Sequence, residues 1–193
     1  MSQALLMGKT KQITVYSRDQ WRKWLKKNHL VEESVFLISY KKHTGKDSIN
    51  HKTQIEEAIC FGWIDTTVKR LDEDRFHRRF VKRSVNATWS KNTLSYGETL
   101  YKNGKMSAYG KKMFLLGKQK KPIDHDIPDF PEVPGDLKKA FAKNKRAKVG
   151  FEAYSPSTKK SYLRWLFRAK REDTRAKRIQ QIIDAASQGQ KLW

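Results

Sequence analysis

Two stretches of this chain combine arginine with tryptophan at spacings that could seat an anion. In the first, Lys160, Arg164, Arg168 and Arg171 recur at four- and three-residue intervals around Trp165, with Arg175 and Arg178 further on. On a helix over residues 156–171 this spacing stacks like charges, each neighbouring pair costing about 0.2–0.5 kcal/mol unless an anion answers it. Arginines interleaved with an aromatic ring are also how proteins neutralise phosphates while stacking on bases. The plainer reading is a solvated face whose cations fold back onto Glu172, Asp173 and Asp184, with Trp165 packed inside.

The second stretch holds Trp63, Asp65, Arg79, Arg83 and Trp89. Asp65 is a carboxylate beside an indole on a basic strand, where an ion pair to Arg79 or Arg83 would keep it ionised. To act as a general base it would need a raised pKa and a cleft instead. Trp63, Asp65, Arg83 and Trp89 are also the residues from which a small-anion receptor or an enzyme pocket would be built between sheet and helix. Other chemistry finds little footing. Cys60 has no positioned histidine in its own segment, no serine sits in a nucleophile elbow, and His29, His43, His51, His77 and His125 show no paired metal-ligand spacing. Gly62 stands apart from any phosphate-binding glycine loop. No catalytic residue, metal site or cofactor is therefore expected.

These residues need elements to position them. Ser17 with Gln20 has capping-box spacing before Trp21, Trp24 and Leu25, which predicts a first helix ending near His29. Residues 35–40 are rich in β-formers, and residues 51–61 read as a helix whose inner face is Ile55, Ala58 and Ile59, capped by Gly62. Residues 63–71 and 75–83 flank Asp72-Glu73-Asp74 as a hairpin. A three-residue loop sets Ile64, Thr66 and Val68 on one face with Phe76 and Phe80, and Trp63, Asp65, Thr67 and Lys69 on the other with Arg75, His77, Arg79 and Arg83. Ser90 caps a further helix ended by Asn103-Gly104, and another begins near Ser107. Four of the five prolines fall within residues 119–135, where periodicity is lost. Beyond them come a helix over 137–142, a turn over 148–154, the helix opened by Ser155-Pro156, and a last helix from Asp173. The organisation expected is an α+β domain over 12–118 with a small antiparallel sheet and covering helices, a proline-rich linker over 119–135, and an all-helical domain over 136–193.

Charge narrows the function classes. The 193 residues carry 42 Lys and Arg against 20 Asp and Glu, a net charge of +22, which draws polyanions wherever the cations cluster. A solubilising surface is the alternative. Hydrophobic content of 37% and six tryptophans imply a folded chain with a thin, aromatic core. One cysteine excludes an internal disulfide framework and suits a reducing compartment. Residues 4–7 are too short for a signal-peptide core and no stretch approaches a membrane span, so a cytoplasmic location without a membrane span is expected.

The run Cys60-Phe61-Gly62-Trp63-Ile64-Asp65, with Trp89-Ser90, Tyr162-Leu163-Arg164-Trp165 and Thr174-Arg175-Ala176-Lys177-Arg178, resembles the YdeI/OmpD-associated family, labelled bacteriocin-protection proteins. The resemblance spans roughly residues 17–189. It implies an N-terminal α+β unit of the YjbR/CyaY-like kind, a C-terminal helical OmdA-type domain and no established enzymatic activity. The label implies protection against cationic peptides or an outer-membrane association; a bacteriocin or antimicrobial-peptide protection or stress protein acting through a protein partner is a further alternative. Residue reading and resemblance together favour a non-enzymatic, cytoplasmic binding protein that engages a polyanion such as nucleic acid.

Overall fold

A computed structural model describes residues 10–193; the apolar residues 4–7 lie outside the described residues. The chain divides into two compact units, one ending at Ile123 and the other formed by Asp124–Trp193. It is an α+β protein: a four-stranded sheet with helices, then a region of helices.

The first unit starts with β1 (Lys11–Thr14), α1 (Arg18–Asn28) and β2 (Ser34–Tyr40). The Ser17 side chain caps α1 by accepting from the Gln20 N–H. Then come α2 (His51–Cys60), β3 (Trp63–Arg70), β4 (Arg75–Lys82), α3 (Lys91–Lys102) and α4 (Ala108–Lys118). Asn50, Ser90 and Ser107 cap the three helices through their side chains, and Gly62 takes φ 73 just beyond α2, where a side chain would be strained. The sheet order is β1-β2-β4-β3; β1 runs parallel to β2 and adds an edge to an otherwise antiparallel ladder.

The β3–β4 hairpin follows its loop only halfway. Asp72 accepts from the backbone N–H of Asp74 and Arg75, and the pairs Arg70↔Phe76, Lys69↔His77 and Val68↔Arg78 have the register a three-residue loop dictates. Between Val68 and Asp65 the register shifts, so that Asp65 faces Phe80 and Trp63 faces Lys82. This bulge overturns the expected faces: Trp63 and Asp65, rather than Ile64 and Thr66, share a side with Phe80.

Indoles build the first core. Trp21 and Trp63 are fully buried, and Trp21 stacks on Trp24 (5.4 Å between centroids) and tilts against Phe80 (5.2 Å). Each buried indole N–H finds a backbone carbonyl, Trp21 at Gln54 and Trp63 at His29, both 3.1 Å. Helix α4 crosses α2 at Gly110, where a Cβ would sit 2.0 Å from the Cys60 carbonyl oxygen.

The second unit contains α5 (Gly135–Lys143), α6 (Lys145–Glu152), α7 (Pro156–Phe167) and α8 (Glu172–Ser187). Leu137, Phe141, Phe151, Tyr162, Leu166 and Ile182 form its core. The turn expected over 148–154 is mostly helix, and its Gly150 lets α6 lie against α8, with room for no Cβ: one would come 1.9 Å from the Ala186 carbonyl oxygen. Helix α7 stops at Phe167, so Arg168 is its C-cap and Arg171 becomes the N-cap of α8. The expected four-residue rows along 156–171 are thereby broken.

Among the described residues no helix is long and apolar enough to cross a membrane.

Candidate functional site

The bulge decides what the residues around Trp63 do. Because Asp65 lies on the side of Phe80, its nearest guanidinium is Arg78, 2.8 Å away, with His51 at 3.4 Å. Arg79, named in the sequence as a partner, points to the other face and donates weakly to Ser34 Oγ at 3.4 Å. Burial pushes the Asp65 carboxyl upward, but the His51 hydrogen bond and the Arg78 charge outweigh it and hold Asp65 below its ordinary range. A carboxylate held ionised in this way is a structural anchor and a poor proton shuttle.

Arg83 and Trp89 do meet. The Arg83 guanidinium lies 3.7 Å from the centre of the Trp89 ring, and the two residues are 3% and 2% exposed. Arg83 Nη1 donates to the Thr88 carbonyl at 3.2 Å, while Nε and Nη2 are buried without a hydrogen-bond partner. Desolvation lowers the Arg83 pKa to about 10, with Asp65 acting in the opposite direction. The Arg83 backbone is pinned as well, its N–H to Gly62 and its carbonyl to the Tyr109 hydroxyl. Trp63, Arg83 and Trp89 are thus packed into the unit with Asp65 half-buried, and the clefts described below are lined by other residues.

Cys60 is buried in the same core, and its thiol is pushed up to about 11 by desolvation and by the neighbouring Glu57 charge, which leaves no nucleophilic thiolate at neutral pH. Glu57 was not singled out by the sequence, yet it is 2% exposed and accepts from Arg18 Nε at 2.6 Å and Arg22 Nη1 at 2.7 Å. It lies off the Ile55, Ala58 and Ile59 face of α2, so helical periodicity gave no signal for it. Among the described residues no group of three or more His, Cys, Asp or Glu side chains is arranged to hold a metal ion.

In the second unit the arginines of the Lys160–Arg178 set meet carboxylates from an unforeseen quarter. Arg164 binds Asp124 at 2.7 Å, Asp129 at 3.4 Å and the Pro128 carbonyl at 2.9 Å; Arg168 reaches Asp124 at 3.6 Å. Arg175 is paired with Asp136, whose carboxyl that hydrogen bond holds below its ordinary range. Arg178 lies 4.6 Å from the Trp165 ring centre and donates to the Trp165 carbonyl. Lys160 sits over the Phe130 ring at 4.0 Å, and Arg171 is exposed at the α8 N-cap. The partners are Asp124 and Asp129, in what the sequence reads as a linker, and Asp136, at the start of the expected helical domain, and not Glu172, Asp173 or Asp184.

Among the cations left over, one acid-free run lies on α5 and α6. Residues 138–148 hold Lys138, Lys139, Lys143, Lys145, Arg146 and Lys148 without one acidic residue, and all six are exposed. Among the described residues only Lys148 of the six has a carboxylate within 4 Å, Glu152 at 3.8 Å. Sequence reading passed over this run because no aromatic ring marks it; charge density alone was the signal.

Compared with known families, residues 13–113 match a model described as a domain of unknown function, DUF8412, and residues 131–189 match one described as bacteriocin-protection, YdeI or OmpD-associated. No curated protein and no solved structure matches the chain.

Proposed function

We propose that this chain, which belongs to the DUF8412 family through its first unit and to the YdeI/OmpD-associated family through its second, is a non-enzymatic polyanion-binding protein whose contact surface is the lysine-rich outer side of α5 and α6. One observation carries the reading. With 42 cations and 20 carboxylates, internal pairing cannot neutralise the chain, and residues 138–148 gather part of the surplus in one acid-free run, where five of six cations have no carboxylate in reach among the described residues. The arginine–indole pairs do not support base stacking, since both rings are taken up by the chain's own arginines. Binding is therefore expected to follow phosphate density with weak sequence preference. The packed state of Asp65 and Cys60 supports a role without catalysis. A reducing, cytoplasmic setting suits the lone buried cysteine.

Titration of labelled duplex DNA and single-stranded RNA across salt concentrations tests the proposal. Log affinity should fall linearly with log salt, with a slope of about −0.9 per phosphate neutralised on a duplex. The triple change Lys139→Ser, Lys143→Ser and Lys145→Ser should flatten that slope by roughly two to three phosphate contacts. Absence of binding at low salt, or a triple variant that binds like the parent, would discard the reading.

A further inference from the structure

The second unit carries a feature that polyanion binding does not use. Beside α5 and α6 lie two clefts, of about 520 and 430 Å³, that share Val133, Lys138, Phe151 and Lys159 in their walls and so form one trough. Each volume falls in the range of small-ligand sites. The floor is apolar: Val133, Phe141, Phe151 and Leu163, with Pro156 and the highly exposed Phe130 at one end. Phe141 and Phe151 are only 5% and 3% exposed, so a small part of each ring reaches the trough.

The rim has a definite sign. Lys138, Lys148, Lys159 and Lys160 border the trough, against Glu132 and Glu152. Glu152 is engaged by Lys148 at 3.8 Å, and its carbonyl oxygen accepts from Lys159 at 2.6 Å. Lys160 is held over Phe130, and Lys138 has no carboxylate within 4 Å among the described residues. An apolar floor alone attracts any greasy molecule, and a lysine rim alone attracts any anion. Together they select a ligand with both properties, because its body covers apolar surface while its carboxylate meets Lys138 at the rim.

We propose that this trough is a binding site for an amphipathic organic anion: a free carboxylate on a medium-length alkyl or aryl body, with the body along Phe141 and Phe151 and the acid at Lys138 and Lys159. The site goes beyond polyanion binding, which needs no apolar floor.

Decanoate, decyltrimethylammonium and inorganic phosphate serve as probes, with binding followed by calorimetry and by chemical-shift changes in the full chain. Decanoate should bind at least tenfold tighter than the cationic amphiphile of equal length, and phosphate should not compete with it at equal concentration. Ala142→Trp, which fills the cleft from an exposed wall position, should abolish decanoate binding, and Lys138→Glu with Lys159→Glu should weaken it at least tenfold. Lys139→Glu with Lys143→Glu makes the same change in net charge outside the trough walls and should leave decanoate binding intact while weakening nucleic acid. Equal binding of both amphiphiles, competition by phosphate, or equal effects of the two double changes would overturn the proposal. Thermal unfolding of each variant separates loss of the site from loss of the fold.

Discussion

Arg83 on Trp89 and Arg178 on Trp165 are the same pair of residue types in the two units, and they meet different fates. The first is enclosed: both residues are nearly fully buried, the guanidinium keeps one hydrogen bond, and desolvation lowers its pKa to about 10. The second is at a rim, half-buried, with the Trp165 carbonyl satisfying the cation and water within reach. Cation–π contact is therefore an internal fastening in both units, of different depth. An arginine near a tryptophan in sequence says that the two will stack and leaves open whether a ligand joins them.

Removing the rings should give the widest separation between the pairs. Trp89→Ala is expected to cost about 4 kcal/mol in urea unfolding, since a large buried ring is lost and a buried cation is left uncovered, whereas Trp165→Ala should cost about 1–2 kcal/mol. Equal losses would erase the distinction between core and rim. A smaller effect tests how tightly the first pair is enclosed. A Cβ at Gly117 would come 2.3 Å from Trp89 Nε1, so Gly117→Ala should displace the indole at a cost of about 2 kcal/mol and alter the tryptophan emission spectrum.

The most delicate test uses pH. Arg83 has a folded-state pKa below that of an ordinary arginine, so the folded protein releases that proton more readily than the unfolded chain. The penalty for holding the buried cation is present below pH of about 10 and is relieved as pH rises through it. The stability of the parent relative to Arg83→Met should accordingly increase as pH rises through about 10 and above. A difference that stays flat across that range would mean that Arg83 is well solvated and not enclosed.

Local signals were legible wherever one residue fixes its own neighbourhood. Ser17, Ser90, Ser107 and Ser155 cap helices because a hydroxyl two or three residues ahead of a free N–H can do little else there, and Gly62 ends α2 because φ 73 suits glycine. The hairpin loop was legible for the same reason, and it set the register as far as Val68. Past Val68 the bulge changed which side chains face inward, and nothing in residues 63–70 marks it. The ladder to β4 and the packing of Trp63 against Trp24 determine it. The α5–α6 lysines were visible as charge but not as surplus, because surplus depends on where each carboxylate goes.

By itself the sequence determined the two-part α+β and helical organisation, the capped helices, the family and the excess of positive charge, all of which follow from short-range chemistry or from sums over the chain. Tertiary structure alone decided that Trp63 and Trp89 are interior, that Asp65 belongs to Arg78, and that Asp124, Asp129 and Asp136 neutralise the arginines of α7 and α8. An ion pair forms between groups within about 4 Å, and residues 13 to 40 positions apart reach that distance only through packing, so no spacing along the chain could have named the cations that remain.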